Sequence, residues 1–143
     1  AATAGPADER VAPIDRTGLR VLMVEDDPVV ARTVGAALQE IGYNVAIVPT
    51  ADEAVPLLMS GARIDVLFTD IVTPGQRSGL DLLAEARLLR PGLPIVLTTG
   101  YSREVAADTG ARLLPKPYRI ADLLAALDAA LAEVEPVSTE ASA

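Results

Sequence analysis

Residues 20–30 read "RVLMVEDDPVV". Arg20 leads into the apolar run Val21, Leu22, Met23 and Val24. The carboxylates Glu25, Asp26 and Asp27 follow, with no basic residue before Arg32. A short, unbroken apolar run suits a strand buried on both faces. Such a strand should not end in adjacent acids unless they face something. Pro28 then opens a helical pattern in which Val30, Val34, Ala37, Leu38 and Ile41 share a face, and Gly42 stops it. Asp27 followed by Pro28 has the form of a helix N-cap with proline at the first helical position. The second reading gives Asp27 a metal-linked role.

The same alternation continues outward from this stretch. Four more apolar runs stand at "NVAIV" (44–48), "DVLFTD" (65–70), "PIVLTT" (94–99) and "ARLLPK" (111–116), the last broken by Pro115. The first three of these, like residues 20–25, read as strands buried on both faces. Between them lie helical patterns over 51–61, 79–92 and 120–134, and a poor one over 102–110. Pro56 conflicts with the 51–61 helix unless it falls in the first turn. Leu80, Leu83, Ala84 and Arg87 are in register on the 79–92 helix. Arg87 and Arg90 read as a solvated face. Residues 1–18 read as a flexible linker and 135–143 as a disordered polar tail, leaving one domain over 19–134.

Strand and helix alternating in this way imply a doubly wound α/β fold with a five-stranded parallel sheet. The common strand order is 2-1-3-4-5, as in flavodoxin-like folds. Ligands then bind at the carboxyl ends of the strands, at the switch point between strands 1 and 3.

Composition removes whole classes of function. The 143 residues contain no Cys and no His, which excludes disulfides, thiolate and imidazole metal sites, and His-dependent catalysis. Twelve basic against 20 acidic residues give a net charge of −8, which disfavours nucleic acid and anionic membranes. No apolar run approaches the ~20 residues of a membrane span, and the N-terminus has no signal pattern. A cytoplasmic location is expected.

The polar residues of the apolar runs collect at the strand ends: Glu25 and Asp26, Asp70, Thr98 and Thr99, and Lys116. Adjacent strands lie ~4.8 Å apart. Carboxylates on strands 1 and 3 would repel by about 3 kcal/mol per pair at an effective dielectric of ~20. A basic group or a hard cation would relieve this, and an all-oxygen donor set points to Mg²⁺. Lys116 is the one Lys among the 12 basic residues. A compact point charge at that position suggests a site that a guanidinium fork would not fit.

The motifs "VEDDP", "FTDIVTPG" followed by "SGLDLL", "TTG" and "KPY", in this order at these strand ends, resemble the receiver domain of bacterial two-component response regulators. The resemblance covers roughly Leu19 to Val134. It looks closest to receivers of hybrid histidine kinases or to stand-alone receivers. It implies that Asp70 accepts a phosphoryl group from a phosphohistidine on a histidine kinase or histidine phosphotransfer domain. It also implies that Glu25, Asp26, Asp70 and the main-chain carbonyl of Val72 hold Mg²⁺, that Lys116 contacts a phosphoryl oxygen, and that Thr99 moves to report the modification. A cis Lys116–Pro117 bond is expected, as is a monomer or weak dimer that catalyses only its own phosphorylation and dephosphorylation.

Three departures from the family bear on the switch. Leu113 stands where an aromatic residue is common. The segment between Thr99 and Lys116 is short, which implies a short or irregular fourth helix. Val72 and Tyr101, both bulky and not acidic, occupy positions that tune water access, which implies slow self-dephosphorylation. Tyr101 reads either as a surface loop residue or as a mobile recognition residue, and Tyr118 as packing. Two other functions remain open: a haloacid-dehalogenase-like phosphatase, although Val72 stands where that chemistry wants a second acid, and a non-phosphorylated interaction module on the same fold.

Overall fold

Val21, Leu22, Met23 and Val24 are almost fully shielded from solvent because their strand lies inside a sheet. The computed structural model describes residues 17–72, 74–100 and 111–142, with side chains through 133. The elements run β1 (Arg20–Val24), α1 (Pro28–Ile41), β2 (Asn44–Val48), α2 (Ala51–Met59), β3 (Val66–Asp70), α3 (Gly79–Leu89), β4 (Ile95–Thr99), β5 (Arg112–Pro115) and α4 (Ile120–Ser142). The strands form one parallel sheet in the order β2-β1-β3-β4-β5, the order expected from the sequence.

Successive side chains along a strand point to opposite faces, so the central strands feed two cores. Leu22, Val24, Leu67 and Leu97 pack with Ala54, Leu58, Leu82 and Ala86 of α2 and α3. Val21, Met23, Phe68 and Val96 pack with Val34, Leu38, Leu123 and Leu127 of α1 and α4. Among the described residues, two helices therefore cover each face.

Several local expectations change. β2 is not buried on both faces. It is the edge strand, and Ile47 remains 41% exposed, because only β1 flanks it. Pro56 lies well past the first turn of α2. The exposed ring is accommodated in a helix that ends at Met59, with Thr50 as its N-cap. On α3 the buried residues are Gly79, Leu82, Leu83 and Ala86, while Ala84 and Arg87 are exposed. The helix is turned by about one position from the expected face because Gly79 docks directly on the end of β3. Arg90 is not a solvated-face residue: its Nε donates to the Leu58 carbonyl at 3.0 Å and its Nη2 to that of Leu57 at 3.4 Å. It thereby adds a partner to the last carbonyls of α2, beside the Ser60 N–H and hydroxyl that also reach Leu57.

β5 tolerates Pro115 because it is the opposite edge strand. The backbone of α4 continues past Val134, where a polar tail was expected; the Glu and Ala of that stretch are good helix formers. The expected short fourth helix over 102–110 lies outside the described residues, as does Tyr101.

Candidate functional site

Parallel pairing brings four strand ends into one row. Asp70 is opposite Thr98 and Thr99 is opposite Pro115. Just past the strands, the Glu25 N–H donates to the Val48 carbonyl (3.0 Å), Ile71 N–H to Thr98 (3.1 Å) and Lys116 N–H to Thr99 (2.9 Å). Glu25, Asp70, Thr99 and Lys116 are thus fixed by sheet register. Lys116 enters the row through a cis peptide bond to Pro117, as expected.

Asp70 is the centre of the row. Its side chain is only 14% exposed. Oδ2 receives the Lys116 ammonium, and Oδ1 accepts the Val72 N–H at 3.1 Å. Both oxygens therefore have fixed partners, one charged. The Lys116 side chain is 40% exposed, so its ammonium remains within reach of an incoming anion.

The three acids after β1 separate into distinct environments. Asp27 caps α1, with Oδ1 accepting Val29 N–H at 2.9 Å and Val30 N–H at 3.3 Å; the cap reading holds. Glu25 is half-buried and accepts the Asp27 N–H at 3.1 Å. Burial pushes its carboxyl above the ordinary range. The Asp27 N–H and the charge of Lys116 oppose that rise, while Asp26 and Asp70 add to it. Asp26 is exposed. Among the described residues, no three acids are gathered tightly enough to hold an ion as the side chains stand. The donors nevertheless fit a hard cation: they are all oxygens, and the charges of Asp26 and Asp70 act against that of Glu25.

The division between Asp26 and Asp27 gives a separable prediction. Asp26→Asn should abolish Mg²⁺-dependent phosphorylation. Asp27→Asn, which keeps a capping oxygen, should leave it mostly intact. Asp27→Ala should cost about 1 kcal/mol of stability through the lost cap. Thermal melts and labelling assays on the three variants separate the roles; loss of labelling in Asp27→Asn at unchanged stability would assign Asp27 to the chemistry.

Thr98 and Thr99 are both buried. Leu113 lies opposite Leu97 across β4 and β5 and packs against the α2/α3 core. Val72 is 66% exposed beside Asp70. Tyr118 packs edge-on against Phe68, with ring centroids 6.1 Å apart and planes at 77°, in line with its packing reading. Its phenol is pushed up to about 12, first by burial and then by the negative charge of Glu25 and Asp70. An unfolded phenol ionises near 10, so the native state holds this proton more tightly. The resulting stability is fully present below pH ~10 and is lost as pH rises toward 12. In Mg²⁺-free buffer, phenolate absorbance should show a transition near 12 that is missing in Tyr118→Phe. A Tyr118 transition near 10 would refute this environment.

Two features escaped the sequence reading. The first is Gly79. Its N–H donates to the Ile71 carbonyl at 2.7 Å, and a Cβ there would strike the Asp70 carbonyl oxygen and stand 2.7 Å from Ile71 Cα. The available signal was the S-x-x-D pattern of Ser78 and Asp81. These form a capping box, with the Asp81 N–H donating to Ser78 Oγ at 3.1 Å and the Ser78 N–H to Asp81 Oδ2 at 3.0 Å. The second is a charged network. Arg77 Nη1 donates to Asp52 Oδ1 at 2.7 Å, and its Nε to Glu85 Oε2. The Gln76 N–H reaches Asp52 Oδ2 at 2.9 Å. That bond and Arg77 hold the Asp52 carboxyl below its ordinary range. No local pattern announces partners so far apart in sequence.

Comparison with known proteins identifies the family. Residues 21–128 match the response regulator receiver domain family. The chain is 33% identical over 123 residues to the response regulator MprA of Mycobacterium avium, covering 82% of this chain and 53% of that one. It is 32% identical over 109 residues to the sensor kinase CckA of Brucella abortus, covering 72% of this chain and 11% of that one. The chain thus spans about half of one relative and about a tenth of the other. Among solved structures, a CheY-like receiver domain protein from Methanospirillum hungatei superposes with a TM-score of 0.76 at 30% identity, covering 84% and 98% of the two chains. The match groups the chain with signalling modules rather than with phosphatases. No described helix is long and apolar enough to cross a membrane. The chain belongs to the response regulator receiver domain family, the phosphoacceptor modules of two-component signalling.

Proposed function

We propose that Asp70 is the phosphoacceptor and that the phosphoryl group comes from a phosphohistidine on a histidine kinase or histidine phosphotransfer domain. The observation that carries this reading is the Lys116 ammonium on Oδ2 of a mostly buried carboxylate at the meeting of the strand ends. An Asp70 oxygen attacks phosphorus, a P–O bond forms, the P–N bond to the partner's imidazole breaks, and the imidazole leaves with the bond's electrons. Lys116 exchanges its contact with Asp70 for one with a phosphoryl oxygen, keeping its charge compensated. The Val72 N–H, already on Oδ1, holds the carboxylate's orientation. Thr99, buried one residue past the partner of Asp70, would donate its hydroxyl to a second phosphoryl oxygen.

Glu25, Asp26, Asp70 and the Val72 main-chain carbonyl would hold Mg²⁺, the ion this family typically uses. When bound, it supplies positive charge to the transferring phosphoryl group. The test is acetyl phosphate or beryllofluoride added with and without Mg²⁺, read by intact mass or by spectral change. A stoichiometric, Mg²⁺-dependent modification supports the proposal, and no change under any condition would sink it.

A further inference from the structure

We infer that Asp52, Arg77 and Glu85 form a clamp that positions the loop between β3 and α3, and with it the Val72 peptide against Asp70; this rests on Asp70 being the acceptor. The loop's near end is part of the site, since the Val72 N–H lies on Asp70 Oδ1. Its far end is tied to two helices. Asp52, in the first turn of α2, takes the Gln76 N–H on one oxygen and Arg77 Nη1 on the other. The same guanidinium reaches Glu85 of α3 through Nε. Gly75 has φ +101°, and a Cβ there would run into the Asp52 carboxylate. The backbone therefore lies on Asp52 as only glycine permits without strain.

These ion pairs are about a third exposed, so solvent and salt screen them, and they add little to global stability. What they supply is geometry. A planar fork with donors on different nitrogens can hold carboxylates from two helices at once, which an ammonium on a flexible stem cannot. Freedom at residues 75–77 would become freedom of the Val72 peptide, and so of the acceptor carboxylate. Arg77 is thus a positioning residue that acts through the loop.

The test uses Arg77→Met, Arg77→Lys, Glu85→Gln and Asp52→Asn in the full chain. Labelling by acetyl phosphate at saturating Mg²⁺ should slow about tenfold in Arg77→Met, since small misplacements of reacting groups carry penalties of this size or larger. Arg77→Lys should recover little of the loss. Glu85→Gln and Asp52→Asn, each keeping part of the network, should be intermediate, and they carry the test should Arg77→Met fail to fold. In the metal-free protein, amide exchange should accelerate at Val72 and Gln76 while β1 and β4 stay protected. Wild-type labelling rates in Arg77→Met, full rescue by Arg77→Lys, or a uniform loss of protection across the sheet would each overturn the clamp. A wild-type protein that takes no label would overturn the acceptor reading instead, while loop exchange would still decide the clamp.

Discussion

Asp70→Asn should take no label from acetyl phosphate at any Mg²⁺ concentration. The substitution is close to isosteric. The amide oxygen can still accept the Val72 N–H now held by Oδ1, so the loop keeps its anchor. What disappears is the nucleophile: an amide has no anionic oxygen to form a bond to phosphorus. The amide nitrogen would also face the Lys116 ammonium donor to donor, and Lys116, 40% exposed, can turn toward solvent or toward Glu25. Stability should therefore change by no more than about 1 kcal/mol, the scale of a partly exposed ion pair. The loss of a salt bridge is opposed by relief of repulsion among the neighbouring acids. Intact-mass measurement with a thermal melt on the same sample checks both parts. Persistent labelling in a folded Asp70→Asn protein would move the phosphoryl group to another side chain and defeat the assignment.

Gly79→Ala should be the most destabilising conservative change near the site. The added methyl would meet the Asp70 carbonyl oxygen and stand 2.7 Å from Ile71 Cα and 2.9 Å from the Asp70 carbonyl carbon. These are backbone atoms of a central strand and cannot swing aside as a side chain would. Overpacking of this kind costs about 3 kcal/mol, at the upper end of its usual range. The fall in Tm should be roughly 10 °C. Labelling should slow as well, because α3 can relieve the clash only by pushing on the strand end that carries Asp70. Gly35→Ala is the contrast. Its Cβ would stand 2.9 Å from Ile47 Cδ1, the end of a partly exposed side chain on the edge strand. That atom can move, and alanine favours the helix by up to about 1 kcal/mol. Equal melting losses in the two variants would show that backbone contact at Gly79 is not the cause.

The reasons some features were legible and others were not are physical. The strand order follows from continuous apolar runs alternating with helical patterns, signals that repeat locally. The strand-end row follows because Glu25, Asp70, Thr98, Thr99 and Lys116 stand at the carboxyl ends of those runs, and sheet register then aligns the ends. The exposure of β2 was not legible, since "NVAIV" is as apolar as a central strand and only its edge position leaves Ile47 in solvent. The face of α3 was misjudged by one position because Leu80, Leu83, Ala84 and Arg87 satisfy the helical period as well as Gly79, Leu82, Leu83 and Ala86 do. The close approach of Gly79 to β3 decides between them, and that contact is tertiary. Arg87 and Arg90 read alike as a solvated helix face, and nothing in the local pattern singled out Arg77. Arg77 links α2 and α3, and Arg90 bonds the last carbonyls of α2, more than thirty residues away in sequence.

The hydrogen bond from the Lys116 N–H to the Thr99 carbonyl, 2.9 Å long, has a mechanical consequence. It is the first link beyond the paired ends of β4 and β5, and it spans the backbones that carry the hydroxyl and the ammonium assigned to the phosphoryl oxygens. The two groups are therefore geared to one peptide bridge. A displacement of the Thr99 backbone toward a new charge at Asp70 would drag the start of the "KPY" segment with it. The strand-end rim at residues 99 and 116 would then travel as a single lever, and a partner gripping either side of it would feel the same stroke.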